Sequence, residues 1–211
     1  MSNKVLGLLL LGLSRAAMAA TVIPATDIPG GMTRSAERFA VGSYQLVVSP
    51  AMTISPGGAY LTSELRHQTN EEMGVGFGFG AGEIGFNFGF NGVWHLMPDS
   101  GNQPAVAVLG GLYLNRIDKQ NWFALRLAPM ISKAYTMDWG RLTPYAALTL
   151  TPSFRLGEAQ NGFSTKASMG TEFNFAEMKG VRFWTEIGVG LVNSEHEAVL
   201  GIAYPFDELA G

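Results

Sequence analysis

The sequence has no cysteine, so no disulfide staples the fold and burial with backbone pairing must hold it. It has 3 histidines, none paired with another at metal-ligand spacing, which leaves a metal site without support. Charged residues make up 15% of the 211 positions, against about 25% in a soluble domain. No basic run occurs, so the electrostatic footprint of a nucleic-acid-binding protein is missing. No stretch reaches eighteen consecutive apolar residues, which excludes a transmembrane helix. Gly78-x-Gly80-x-Gly82 is followed by no helical pattern, so it is no phosphate loop and no cofactor is expected. At this length one domain is the default.

Glycine, by contrast, is plentiful, with 27 residues, about twice the usual share of 7%. Many of these glycines alternate with large apolar residues. From Met73 to Leu96, Val75, Phe77, Phe79, Ile84, Phe86, Phe88 and Phe90 fall on every second position, with glycine or asparagine between them. Side chains alternate across a strand, so this stretch has one apolar face and one nearly bare face. Ala81-Gly82-Glu83 reads as the tight connection of a β-hairpin. The bare wall includes Gly76, Gly78, Gly85 and Gly89. If the protein has a cavity, a plug contact or a bound molecule, that feature is expected to lie against this wall.

The chain opens with Lys4, an aliphatic run from Val5 to Leu13 and Ala17-Met18-Ala19. A basic start, a short apolar run and an Ala-x-Ala ending are the parts of a secretory signal peptide. Residues 1–19 are therefore expected to be removed. Taking Lys4 and Arg15 away shifts the formal net charge from -3 to about -5. Residues 20–42, with Pro24, Pro29, Gly30 and Gly31, read as an irregular N-terminal segment, periplasmic or lodged in a lumen as a plug.

Residues 43–206 read as about ten strands in an up-and-down meander, and 207–211 as a short tail. The links carry turn residues such as Pro98-Asp99-Ser100-Gly101-Asn102, Asp138-Trp139-Gly140 and Gln160-Asn161-Gly162. Closure into a barrel removes the two sheet edges that invite aggregation. Pro50, Pro129, Pro144 and Pro152 fall inside predicted strands. Each is expected to mark a bulge or a strand end, and real breaks there would reduce the count to eight strands.

The distribution of charge separates a membrane barrel from a soluble one. Glu64, Arg66, Arg126, Arg155, Lys166, Glu172, Arg182 and Glu186 all fall on the non-apolar face. Both signs are present, as a closed lumen of paired charges requires. The apolar face carries almost none, which suits hydrocarbon. Aromatics collect at two levels. Trp94, Phe175, Phe183, Tyr204 and Phe206 mark one, and Phe79, Phe123, Phe154 and Phe163, with aliphatic Ile84 at the same level, mark the other, like the two girdles of an outer-membrane barrel. A strand of about twelve residues tilted near 45° spans roughly 28 Å, enough for the apolar band. The expectation is an all-β, transmembrane, up-and-down antiparallel β-barrel of about ten strands, eight as the alternative.

Gly201-Ile202-Ala203-Tyr204-Pro205-Phe206 resembles the sorting signal on the last strand of small bacterial outer-membrane β-barrel proteins, with Gly201, Tyr204 and Phe206 at its pattern positions. The resemblance covers about residues 43–206. It implies the outer membrane of a Gram-negative cell as location, membrane lipid as surroundings and the barrel-assembly machinery as partner during biogenesis.

Candidate chemistry is sparse. Ser194, His196 and Glu197 together suggest a hydrolase constellation, but neighbours on one turn point in different directions, and a triad must converge. A polar hairpin turn is the preferred reading. The lumen charges form either a permeation path or a locked ion-pair core, and a barrel of this size is mostly filled by its own side chains. The expected function is a structural role or narrow passage of small solutes. The alternatives are a lipid-modifying barrel enzyme and a soluble periplasmic barrel holding an apolar ligand.

Overall fold

The computed structural model describes residues 34–54, 57–83, 85–117 and 119–206. The expected signal peptide, most of the segment before residue 34, the tail at 207–211 and the outward position assigned to Ile84 lie outside those residues.

The described residues form eleven strands and no helix. They are β1 (Tyr44–Thr53), β2 (Gly58–Gln68), β3 (Met73–Gly82), β4 (Gly85–Met97), β5 (Ala105–Ile117), β6 (Gln120–Ser132), β7 (Tyr135–Met137), β8 (Gly140–Arg155), β9 (Asn161–Phe175), β10 (Arg182–Val192) and β11 (Glu197–Phe206). Sequential strands pair antiparallel except β6 and β7; β6 pairs with β8, and β1 with β11. The result is a closed ten-stranded barrel with β7 as an extra piece. β7 continues β6 in the same register: Ser132 faces Tyr145 and Tyr135 faces Leu142, on either side of a break at Lys133-Ala134. Asp99, in the β4–β5 loop, clamps that break. It accepts from the Lys133 ammonium and, at 2.7 Å, from the Ala134 N–H.

The strands form where alternation is strict. In β3, Gly74, Gly76, Gly78 and Gly80 are buried and Val75, Phe77 and Phe79 are exposed. The connection to β4 is one step later than Ala81-Gly82-Glu83, because Gly82 still pairs with Gly85. Bulges occur at His95/Met97 and Gly190/Val192, not at the prolines. Strands run through all four prolines because each keeps one flank paired. Pro50 faces Leu61, Pro129 faces Val108, Pro144 faces Thr171 and Pro152 faces Phe163.

The outer wall is apolar. Phe90 is 61% exposed, Met169 66% and Ile187 58%. Among the described residues, Arg116 is the only charged side chain on the outward face of the strands. Paired rings gather at the end that holds both barrel termini, as in Tyr44–Phe206 and Trp139–Phe175, and at the opposite end, as in Phe123–Phe154.

Inside, large rings lie over glycines. A Cβ on Gly89 would sit 2.4 Å from the Tyr113 ring, one on Gly170 2.5 Å from Tyr145, and one on Gly201 2.1 Å from Trp184. A Cβ on Gly80 would sit 2.6 Å from Tyr60. The bare wall is therefore bare because the lumen's own aromatic and polar side chains lie against it. Gly89→Val forces its side chain into the Tyr113 ring and the Leu112 carbonyl. It should destabilise the barrel by about 1–3 kcal/mol, the usual range for overpacking, read as a lower urea midpoint, while outward Leu112→Ile changes it by less than half as much.

Candidate functional site

The lumen collects the charge that the outer wall excludes. At its middle, Glu64 and Arg66 form a 2.7 Å pair in which both residues are buried. Asn91 donates to the other Glu64 oxygen at 2.8 Å. The two ion partners are two positions apart on β2, so one strand face positions both. Arg66 also lies 5.9 Å over the Trp184 ring, and Arg126 lies 4.6 Å over the Tyr113 ring. Toward the end opposite the barrel termini, Lys166 on β9 reaches Glu197 on β11 at 2.6 Å, both buried. Between these levels, Tyr145 donates to Glu186 at 2.8 Å. Near the end that holds the termini, Arg182 bonds Glu172 at 2.9 Å. Arg155 sits at the far rim, paired with Glu158 and Gln160.

A second layer comes from the chain itself. Residues 34–42 enter the lumen from the end that holds the barrel termini. Arg34 donates to Asn91 at 3.1 Å, Ser35 to Glu172 at 2.8 Å, and the Ala36 N–H to Ser132 at 3.1 Å. The Ala36 carbonyl lies 3.1 Å from Nδ1 of His95. Closer to the rim, Glu37 pairs with Arg141 and Arg38 with Glu71. This strap thus touches β4, β6, β8 and β9, with Ser35 and Ala36 fully buried. The void on its inner side, at Arg34 and Ser35, is about 20 Å³, room for a single water; on the rim side Ala36, Glu37 and Arg38 border a wider cleft of about 360 Å³. Burial pushes the Glu37 carboxyl above its ordinary value, and Arg141 only partly opposes this.

The hydrolase constellation does not assemble. Glu197 points into the lumen, where Lys166 holds it. His196 is exposed on the turn, its Nδ1 accepting from the Gly190 N–H at 3.3 Å. Ser194 stands on the turn before it. The reason is the strand period: Glu197 lies on the lumen parity of β11 with Val199 and Gly201, whereas Leu200 and Ile202 face out. The lumen is also unlike a pocket for an apolar ligand, because Ser, Thr, Asn and ion pairs line it.

No described protein family matches the sequence, and neither does any curated protein. Solved structures do match. The fold resembles that of outer-membrane β-barrels. The beta domain of the Bordetella autotransporter Brka aligns at 11% identity over 79% of this chain and 100% of its own, with a TM-score of 0.47. An outer membrane channel from Pseudomonas putida F1 aligns at 10% identity over 85% of this chain and 100% of its own, with a TM-score of 0.46. A de novo designed transmembrane beta-barrel aligns at 12% identity, covering 81% and 100%, with a TM-score of 0.42. These are likenesses of architecture and carry nothing about activity.

All eight lumen charges read from the sequence, Glu64, Arg66, Arg126, Arg155, Lys166, Glu172, Arg182 and Glu186, lie on inward positions. Four further charges join them: Arg34, Glu37, Arg141 and Glu197. Strand parity would have found Glu197. Nothing in the alternation pointed to Arg34 or Glu37, which lie on no strand.

Lys166→Met leaves Glu197 buried without its cation and should cost about 3–5 kcal/mol. Adding Glu197→Leu should recover most of that loss. Arg38→Ala, whose partner Glu71 is exposed, should cost under about 1 kcal/mol. Urea titration of the refolded barrel ranks the three; equal losses would overturn the assignment of Lys166–Glu197 as a sealed pair.

Proposed function

We propose that this protein is an integral outer-membrane β-barrel that reaches its place by signal-peptide cleavage after Ala19 and insertion by the barrel-assembly machinery. Gly201, Tyr204 and Phe206 on the last strand supply the signal read by that machinery. The observation that carries the membrane reading is the sorting of charge: one outward arginine against a lumen filled with ion pairs. In water, such a wall would expose a contiguous apolar surface far beyond what soluble proteins tolerate.

The resting barrel is closed. Its role is structural, with passage of small solutes only when the strap at 34–42 moves. Support for the closed state comes from the ion pairs that fill the lumen and from the single-water void on the inner side of the strap. Short connections at both ends speak against a large adhesive surface.

Cell fractionation tests the location: the protein should partition with the outer membrane and migrate differently on gels before and after heating. Recovery in the soluble periplasmic fraction would end the membrane reading. Planar-bilayer recording tests the strap. The full chain should show little conductance, and Arg34→Ala with Ser35→Ala should raise it clearly. Burial raises the Glu37 carboxyl, so seating the strap favours its protonated form. Seating is therefore strongest below the ordinary carboxylate range and weakens as pH rises through the raised value. Leak through the barrel should rise in the same direction, and Glu37→Gln should flatten that dependence.

A further inference from the structure

The ten seams of the barrel are not alike. The β5–β6 ladder is continuous from Ala105 to Ile117, and β8–β9 from Gly140 to Phe154. The β6–β8 ladder lapses. Pairs form at Trp122 to Ala124, at Leu127 and at Met130 to Ser132, with none at Leu125-Arg126 or Ala128-Pro129. Proline explains the gaps. Pro129 on β6 and Pro152 on β8 pair with β5 and β9 on their other flanks, so their missing N–H groups fall on this seam. Pro144 does the same further along, where Lys133 donates to its carbonyl and nothing returns. Three of the four strand prolines thus weaken one seam.

The inner side of that seam carries an independent feature: a run of unpartnered hydroxyls, a condition met elsewhere in the lumen at scattered positions such as Ser49. Thr149, Thr151 and Ser153 of β8 are buried, and their hydroxyls have no hydrogen-bond partner among the described residues. Ser164 and Ser168 beside them on β9 are in the same condition. Across the seam, β6 presents Ala124 and Ala128, too short to answer them. Arg126, between those alanines, leans onto the Tyr113 ring on the β5 side. A buried hydroxyl without a partner is costly, and native folds rarely keep several together. A row of them along a weakened seam is a place for an external polar group. The hydroxyls bring no net charge and both donate and accept, which selects a neutral polyol. Outside the seam, Leu125, Leu127, Leu148 and Leu150 face the hydrocarbon side.

We propose that the β6–β8 seam is a lateral portal that holds a neutral amphiphile of the acylglycerol class. Its hydroxyl head bonds Thr149, Thr151 and Ser153 inside the wall, and its chain leaves between Pro129 and Pro152. This rests on the membrane reading above. Insertion is therefore scored separately, by heat-modifiable mobility in each vesicle preparation.

The test exploits the absence of native cysteine. Leu127 and Leu150 face each other across the seam on its outward side, so Leu127→Cys with Leu150→Cys can lock it without touching the hydroxyls. The background carries Trp94→Phe and Trp139→Phe, leaving Trp122 and Trp184, both buried on the lumen face. The probe is a monoacylglycerol brominated on its chain near the head, in phosphatidylcholine vesicles. In the reduced protein the probe should quench tryptophan emission, oxidation should abolish the quenching, and reduction should restore it. Pro129→Val with Pro152→Val returns two donors to the seam and should weaken quenching without oxidation. Quenching that is indifferent to the lock would place the probe on the outer wall and overturn the proposal. Absence of quenching in inserted, reduced protein would overturn it as well.

Discussion

Everything in this barrel follows from a wall that can carry almost no charge on its outward side. Ten strands each offer every second position to that side, and Phe, Leu, Val, Ile and Met make up most of its large side chains. Every charged residue of the described strands except Arg116 must then be satisfied in a lumen only a few side chains wide. Charge brought into such a space is tolerable only in pairs. The pairing of Glu64 with Arg66, Lys166 with Glu197 and Glu172 with Arg182 is therefore a condition for closing the barrel at all. It is weak evidence for transport and strong evidence for a filled interior.

Space obeys the same constraint. Tyr60, Tyr113, Tyr145 and Trp184 point inward, where ten strands leave little room. Each lies on a glycine of a neighbouring strand, at Gly80, Gly89, Gly170 and Gly201. The glycine-rich hairpin and the inward aromatic rings are two halves of one packing arrangement. Read alone, the hairpin looks like an open wall; with its partners in place, it is the floor under them.

The sheet was largely legible from the sequence, because alternation over ten residues or more is a strong local signal and the turn residues punctuate it. The hairpin turn came within one residue, and every lumen charge read on a strand lies inward. Two kinds of feature were not legible. The first is what a non-periodic segment does: Arg34 to Arg38 has no alternation, and only the positions of Asn91, Ser132 and Glu172 on distant strands show where it goes. The second is which flank of a strand a proline weakens. Pro129 and Pro152 look like breaks in one dimension, yet the strands pass through them. A strand has two neighbours, and a missing N–H removes bonding toward only one.

That asymmetry sets the mechanical character of the barrel. The strap ties β4, β6, β8 and β9 together near the end that holds the termini, through Asn91, Ser132, Arg141 and Glu172. The prolines loosen β6 from β8 further along the same two strands. The Lys133–Asp99 clamp and the Ser132 bond to the strap hold the terminal end of that seam shut. Opening is thereby confined to the stretch around Leu125 to Pro129, where unanswered hydroxyls line the inside. A barrel that only sealed and stiffened a membrane would gain from an N–H at each of these positions, since each would add a ladder bond at no cost to the apolar outer face. Valine at 129 and 152 would serve that purpose, and the chain has proline at both.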